Sequence, residues 1–191
     1  MAGYRITRVA PLFEGWRKIL GFTVQKPDGD TMDREILEAG DAAAVLPYDR
    51  ERRTVILVRQ FRVPVLHRHG QQALLEAIAG LVEEGDPQEC AIREGMEEAG
   101  LRLGAVEPVV SAWSSPGAMT EMIHLFLAPY SAADRVGEGG GLAEEDEDIE
   151  VLEIGCEELA RMLDRNEIGD LKTLSLAQAL RIRHPKLFEA R

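Results

Sequence analysis

The stretch from Gly80 to Leu101, GLVEEGDPQECAIREGMEEAGL, constrains the fold more than any other part of the chain. Its second half reads as one helix. Asp86 is placed to cap the start, and Pro87 fits the first turn, where a missing N–H costs nothing. Gly100 is placed to end the helix in the left-handed conformation. On that helix Glu94, Glu97 and Glu98 stand at i, i+3 and i+4 and share one face. Like charges at this spacing weaken an isolated helix by roughly 0.2–0.5 kcal/mol per pair. A cation between them removes that penalty; without one the face belongs in solvent. Hard carboxylate oxygens suit Mg²⁺ or Mn²⁺ rather than a thiolate-loving metal.

The rest of the composition narrows the classes. With 191 residues, 45% of them hydrophobic, the chain can bury a full core. Its net charge of −12 speaks against non-specific nucleic-acid binding. The same charge disfavours long-range steering of an anionic ligand, so such a ligand needs local cations: a metal and a few arginines or lysines. No apolar run reaches the length of a membrane span, and the N-terminus carries no signal-peptide pattern. The two cysteines, Cys90 and Cys156, make no disulfide framework and no metal-ligand spacing, so a reduced, cytoplasmic setting is expected.

Along the chain, Tyr4 to Phe13, Trp16 to Gln25 and a shorter run from Met32 to Leu37 read as strands, with Lys26-Pro27-Asp28-Gly29 a turn. Residues 42–47 and 54–63 read as a hairpin turning at Tyr48-Asp49-Arg50, its second strand central in a sheet. Pro64 to Gln72 reads as a loop, and Ala73 to Ala79 as one buried strand leading into Gly80. Val106 to Trp113 and Met122 to Leu127 read as strands around a Ser114-Ser115-Pro116-Gly117 turn. Ala132 to Asp148 is a long, glycine-rich and then acidic segment, expected to act as a lid hinged on its glycines. Val151 to Ile154 reads as a strand, and Glu157 to Arg165 and Leu171 to Arg183 as helices. The order predicts an α/β protein, an α/β/α sandwich on a mixed sheet, with three helices. The organisation expected is an N-terminal β-region, residues 1–40, followed by one domain, residues 41–191.

The run Arg93-Glu94-Gly95-Met96-Glu97-Glu98-Ala99-Gly100-Leu101 resembles the signature of Nudix hydrolases: Arg-Glu, an aliphatic residue, any residue, Glu-Glu, any residue, Gly, an aliphatic residue. Three departures stand out. The interval from Gly80 to Arg93 is one residue shorter than usual. The loop glutamate is missing or replaced by Asp86. Gly95 occupies an aliphatic position, at about 1 kcal/mol of helix propensity. Further segments resemble the GDP-mannose pyrophosphatase branch of that family: VRQFR at 58–62, SPGAMTE at 115–121, the glycine-rich acidic run before Ile149-Glu150-Val151, and GDLKT at 169–173.

The resemblance implies a Nudix fold and a divalent-metal hydrolase of a nucleoside diphosphate sugar. It implies Mg²⁺, or Mn²⁺, held by Glu94, Glu98 and the carbonyl of Ala79, with Glu97 facing a second ion as a catalytic group. A base must take a proton from water. Counting backwards from Ile149-Glu150-Val151 selects Glu147 as metal ligand and base, with Asp146 beside it and Glu145 the alternative. By the same resemblance Arg62 contacts phosphate, and Gly80, Leu81, Glu121 and Lys172 line the site. Trp16 stacks on the base, and Asp33, Arg34 and Glu35 reach across a dimer interface built by the N-terminal β-region, although an aspartate at 33 replaces a basic residue of the pattern. GDP-mannose is the expected substrate, with ADP-ribose as the alternative. A Nudix-like sensor that binds without cleaving is the competing class, disfavoured because all three helix glutamates are present. His67 and His69 read as solvent-exposed and His124 as a satisfied strand histidine. Ser114 and Ser115 have no paired base, which excludes a serine nucleophile.

Overall fold

The computed structural model describes residues 3–83, 85–141 and 148–189. The chain divides into two compact units. One is residues 1–41 with 112–123; the other is residues 42–111 with 124–191.

The first unit is an antiparallel meander of β1 (Arg5–Glu14), β2 (Lys18–Gln25) and β3 (Thr31–Glu38), in that order. Pairing of Ile6 with Val24 and of Val9 with Phe22 puts apolar side chains together on one face. Ile6 and Val9 are exposed there. Register shifts between Ile6 and Arg8 and between Pro11 and Phe13 bend β1. Residues 112–123 join this unit through Leu37 N–H to Ala118 O (2.8 Å) and Thr120 Oγ1 to Ala39 O (2.8 Å).

The second unit holds most of a seven-stranded mixed sheet flanked by helices. Its strands are β4 (Ala42–Asp49), β5 (Thr54–Gln60), β6 (Leu74–Glu76), β7 (Ile78–Leu81), β8 (Glu107–Trp113), β9 (Met122–Pro129) and β10 (Ile149–Gly155). Their order is β10-β5-β4-β9-β8, with β6 on β5 and β7 on β4. The helices are α1 (Val63–His69), α2 (Pro87–Ala99), α3 (Cys156–Asp164) and α4 (Leu171–Arg183). Strand β4 is buried on both faces, as a central strand between helical layers must be. Ala43 and Val45 pack with Cys90, Ala91 and Ala99 of α2. Alternation turns Ala44 and Leu46 the other way, and α4 also packs on β4. This is the α/β/α arrangement expected from the order of elements.

Four local expectations change. Tyr48 is not in a turn: β4 continues to Asp49, and the fully buried Tyr48 donates its hydroxyl to Glu107 Oε1 at 2.9 Å. Asp49 instead makes the turn by accepting the N–H groups of Glu51 and Arg52. The segment read as a loop after Pro64 contains α1, with a proline in its first turn and Gly70 closing it left-handed. No residue of α1 is buried, so no apolar period announced it. Among the described residues there are therefore four α-helices, one more than expected. The strand expected from Ala73 to Ala79 is two strands, which separate at Ala77; there the Ala77 N–H leaves the ladder and bonds Thr173 Oγ1 at 2.6 Å.

Candidate metal and diphosphate site

Helix α2 begins and ends as its capping residues require. Asp86 accepts the Gln88 N–H at 2.9 Å, so it serves as a helix cap. Gly100 takes φ 63°, and its N–H bonds Met96 O (3.0 Å) while Leu101 N–H bonds Gly95 O (2.9 Å), which closes the helix through a left-handed cap. Gly95 is explained by Leu103, whose Cδ1 would lie 2.5 Å from any Cβ there.

The helix lies against β7, and this contact positions the carboxylates. Glu98 is only 2% exposed, and its Oε2 accepts the Ala79 N–H at 3.3 Å. Glu94, one turn earlier and also buried, sits over Gly80 so closely that a Cβ on Gly80 would stand 1.9 Å from its Oε1. Glu97 is only partly buried. Arg93 spans the face, reaching Glu94 Oε1 at 2.8 Å and Glu97 Oε2 at 2.6 Å. Part of the expected repulsion is thus offset by the chain's own guanidinium. Cys90 on the same helix donates its thiol to Leu81 O at 3.3 Å, and burial first, then the nearby Glu94, push that thiol's pKa up, away from nucleophile character.

The segment after β9 seals the far end of α2. Gly140 N–H bonds Glu98 O at 2.8 Å and Gly141 N–H bonds Glu97 O at 3.2 Å. Gly139, at φ 73°, lies so close that a Cβ would be 2.3 Å from Glu98 O. The glycines expected as a hinge are therefore held against the helix end, where they satisfy carbonyls that a helix otherwise leaves open.

A second cluster stands beside the first. Arg62, in the connection from β5 to α1, donates Nε and Nη2 to Glu76 Oε1 and Oε2 at 2.7 and 3.1 Å. Lys172, in the first turn of α4, contacts the same Glu76 carboxylate and lies 3.1 Å from Asp170. Burial alone raises the Glu76 pKa, but the Arg62 fork and the Lys172 ammonium overcome it and hold the carboxyl below its usual range. Glu98 and Asp170 also act on Arg62 electrostatically.

The second unit thus gathers Ala79, Gly80, Leu81, Glu94, Glu97, Glu98, Arg62 and Lys172. Trp16, Arg34, Glu35 and Glu121 belong to the first unit. There Trp16 is 95% exposed beyond the end of β1, and Arg34 and Glu35 are exposed on β3. The Glu121 carbonyl accepts the Ser114 N–H at 3.2 Å. Glu145, Asp146 and Glu147 lie outside the described residues. Glu76 was not singled out in the sequence. The available signal was a lone acid inside the apolar run Ala73 to Ala79, which demands a cation if that run is buried. His124 Nδ1 pairs with Ser111 Oγ at 2.8 Å, as a satisfied strand histidine should.

Among the described residues no three His, Cys, Asp or Glu side chains group to hold a metal. Two buried carboxylates beside a strand end nonetheless suit an ion that keeps several waters, as Mg²⁺ does. A strand, a connecting loop and a helix bearing Arg-Glu and Glu-Glu on a mixed sheet between helices define the class, and a NUDIX domain matches residues 39–186. The chain belongs to the Nudix hydrolase family.

Within that family it is similar to curated GDP-mannose pyrophosphatases. That of Cronobacter sakazakii is 42% identical over 165 residues, 85% of each chain. That of Pectobacterium atrosepticum is 44% identical over 151 residues, covering 78% of this chain and 77% of the relative. A solved ADP compounds hydrolase superposes with a TM-score of 0.77 over 97% of this chain and 96% of its own, at 16% identity, which shows the shared fold. Nudix hydrolases generally use divalent metal ions. Among the described residues no helix is long and apolar enough to cross a membrane.

Proposed function

We propose that the chain is a Mg²⁺-dependent GDP-mannose pyrophosphatase, releasing GMP and mannose 1-phosphate. The observation that carries the reading is the burial of Glu94 and Glu98 against Ala79 and Gly80, together with the curated relatives' activity. In this reading Glu94, Glu98, the Ala79 carbonyl and Glu147 hold the ion, with Mn²⁺ as a substitute. A divalent cation there binds phosphate oxygens and lowers the pKa of water. Glu147 accepts the proton from the attacking water, and Glu97 assists once Arg93 releases it. Arg62 and Lys172 supply charge-assisted hydrogen bonds to the diphosphate. Gly80, Leu81, Glu121 and Asp146 line the substrate, and Trp16 stacks on the base. The N-terminal β-region, residues 1–40, forms a homodimer in which Arg34 and Glu35 serve the partner's site; its exposed apolar residues Ile6 and Val9 support this. Two free, buried cysteines support a cytoplasmic setting.

The test is release of monophosphate from a panel of GDP-mannose, ADP-ribose, GDP-glucose and diadenosine polyphosphates, with and without Mg²⁺. GDP-mannose should be preferred, and Glu98→Gln should abolish turnover. A preference for ADP-ribose would replace the substrate, and binding without turnover would make the protein a sensor. A monomer at micromolar concentration in sedimentation would refute the dimer.

A further inference from the structure

We propose that Glu76 is a positioning residue for the reaction, holding Arg62 and Lys172 as one pre-aimed pair of cations. The inference rests on the function proposed above and extends it to a side chain that touches neither metal nor substrate.

Glu76 ends β6 with its side chain only 3% exposed, a place where an unpaired carboxylate would be costly. One of its oxygens takes Arg62 Nε; the other takes Arg62 Nη2 and the Lys172 ammonium. Two of the five N–H donors of Arg62 are thus spent inward, while its side chain stays 41% exposed and within the field of Glu98. One edge of the guanidinium is anchored on Glu76, and the side chain as a whole remains partly open.

Lys172 is only 13% exposed and is fixed from both sides, by Glu76 and by Asp170. Asp170 in turn caps α4 by accepting the Thr173 N–H at 3.0 Å, and Thr173 Oγ1 accepts the Ala77 N–H at 2.6 Å. The start of α4 is therefore tied to the residue that follows Glu76. Two carboxylates and two cations balance in charge, so both cations are oriented before any anion arrives. That is preorganisation: the ordering cost is met in folding rather than in binding.

The test compares wild type, Glu76→Gln and Glu76→Asp, each also with Arg62→Ala. Three quantities are measured: KM and kcat on GDP-mannose with Mg²⁺, the Kd of inorganic pyrophosphate by calorimetry, and the melting curve. Glu76→Gln keeps the shape and removes the charge. It should raise KM and the pyrophosphate Kd roughly tenfold or more, with a smaller fall in kcat. Glu76→Asp should recover part of the loss. In the Arg62→Ala background Glu76→Gln should add little, because the two act through one path. If Glu76→Gln does not fold, Glu76→Asp and the Arg62→Ala/Glu76→Gln pair, which loses one charge of each sign, decide the matter by the same readouts. A folded Glu76→Gln with unchanged KM and Kd, or equal losses in both backgrounds, would overturn the proposal. Wild type that binds pyrophosphate but cleaves no nucleotide sugar would defeat the functional reading and leave Glu76 to be judged on Kd. Failure of wild type to bind pyrophosphate would overturn both.

Discussion

Gly80→Ala should cripple catalysis while leaving the fold standing. The backbone at Gly80 is not left-handed, so alanine fits its conformation. The obstacle is the added methyl, which would sit 1.9 Å from Glu94 Oε1 and 2.1 Å from its Cδ, whereas ordinary contact begins near 3.4 Å. The carboxylate must therefore retreat by about 1.5 Å, the difference between those two separations. A misplacement of about 1 Å can cost on the order of 10²-fold in rate. A fall in kcat of about 100-fold corresponds to about 2.7 kcal/mol of barrier. Stability should suffer less, toward the low end of the ~1–3 kcal/mol typical of overpacking, because the displaced group is the tip of a flexible side chain. The assay is monophosphate release from GDP-mannose across a Mg²⁺ titration, alongside thermal unfolding. The variant should need more metal to reach a lower plateau. Wild-type kcat at a wild-type metal midpoint would refute the assignment of Glu94 as a ligand held in place by Gly80.

Three further outcomes are expected. Metal at about 100 times its Kd should add about 2.7 kcal/mol of stability, which raises Tm by roughly 5–10 °C for a chain of this size. The same rise in Glu94→Gln/Glu98→Gln would mean that the ion binds elsewhere. Gly139→Ala should destabilise by about 1–3 kcal/mol in urea unfolding, because its φ is left-handed and its Cβ would strike backbone atoms of Glu98 and Ala99; an unchanged midpoint would show the segment is not docked. Burial works to raise the Asp49 pKa, but the backbone N–H and guanidinium of Arg52, with the backbone N–H of Glu51, hold it below normal. Its contribution, about 1.5–3 kcal/mol for hydrogen bonds to a charged group, is complete above the unfolded value of about 3.9 and is lost as pH falls through the lower folded value. Asp49→Asn should therefore be less stable at neutral pH and less sensitive to acid, and parallel pH–stability curves for the two proteins would contradict this.

Legibility followed the range of the interactions. Helix α2 could be read nearly to the residue because its signals are local: Asp86 and Gly100 act within a few positions of themselves. Glu94 and Glu98 followed from the same periodicity and from resemblance. Helix α1 could not be read, since it buries nothing and its sequence, with His67, Arg68, His69 and Gly70, has the composition of a loop. The break between β6 and β7 was hidden because the group that makes it, Thr173 Oγ1, lies 96 residues further along the chain. Glu76 was hidden for the same reason. Its partners Arg62 and Lys172 stand 14 and 96 residues away, and only the fold brings them to one carboxylate.

The sealed end of α2 fixes where the chain sets out toward β10. Gly141 is tied to α2, while Ile149 is paired with Gln60 on β5. Seven residues separate the two anchors, and most of them are acidic. Both points are held by main-chain bonds to regular elements, one to a helix end and one to a strand. A residue inserted or deleted between Gly141 and Ile149 therefore has to be absorbed between them, because shifting either point breaks a helix cap or a sheet register.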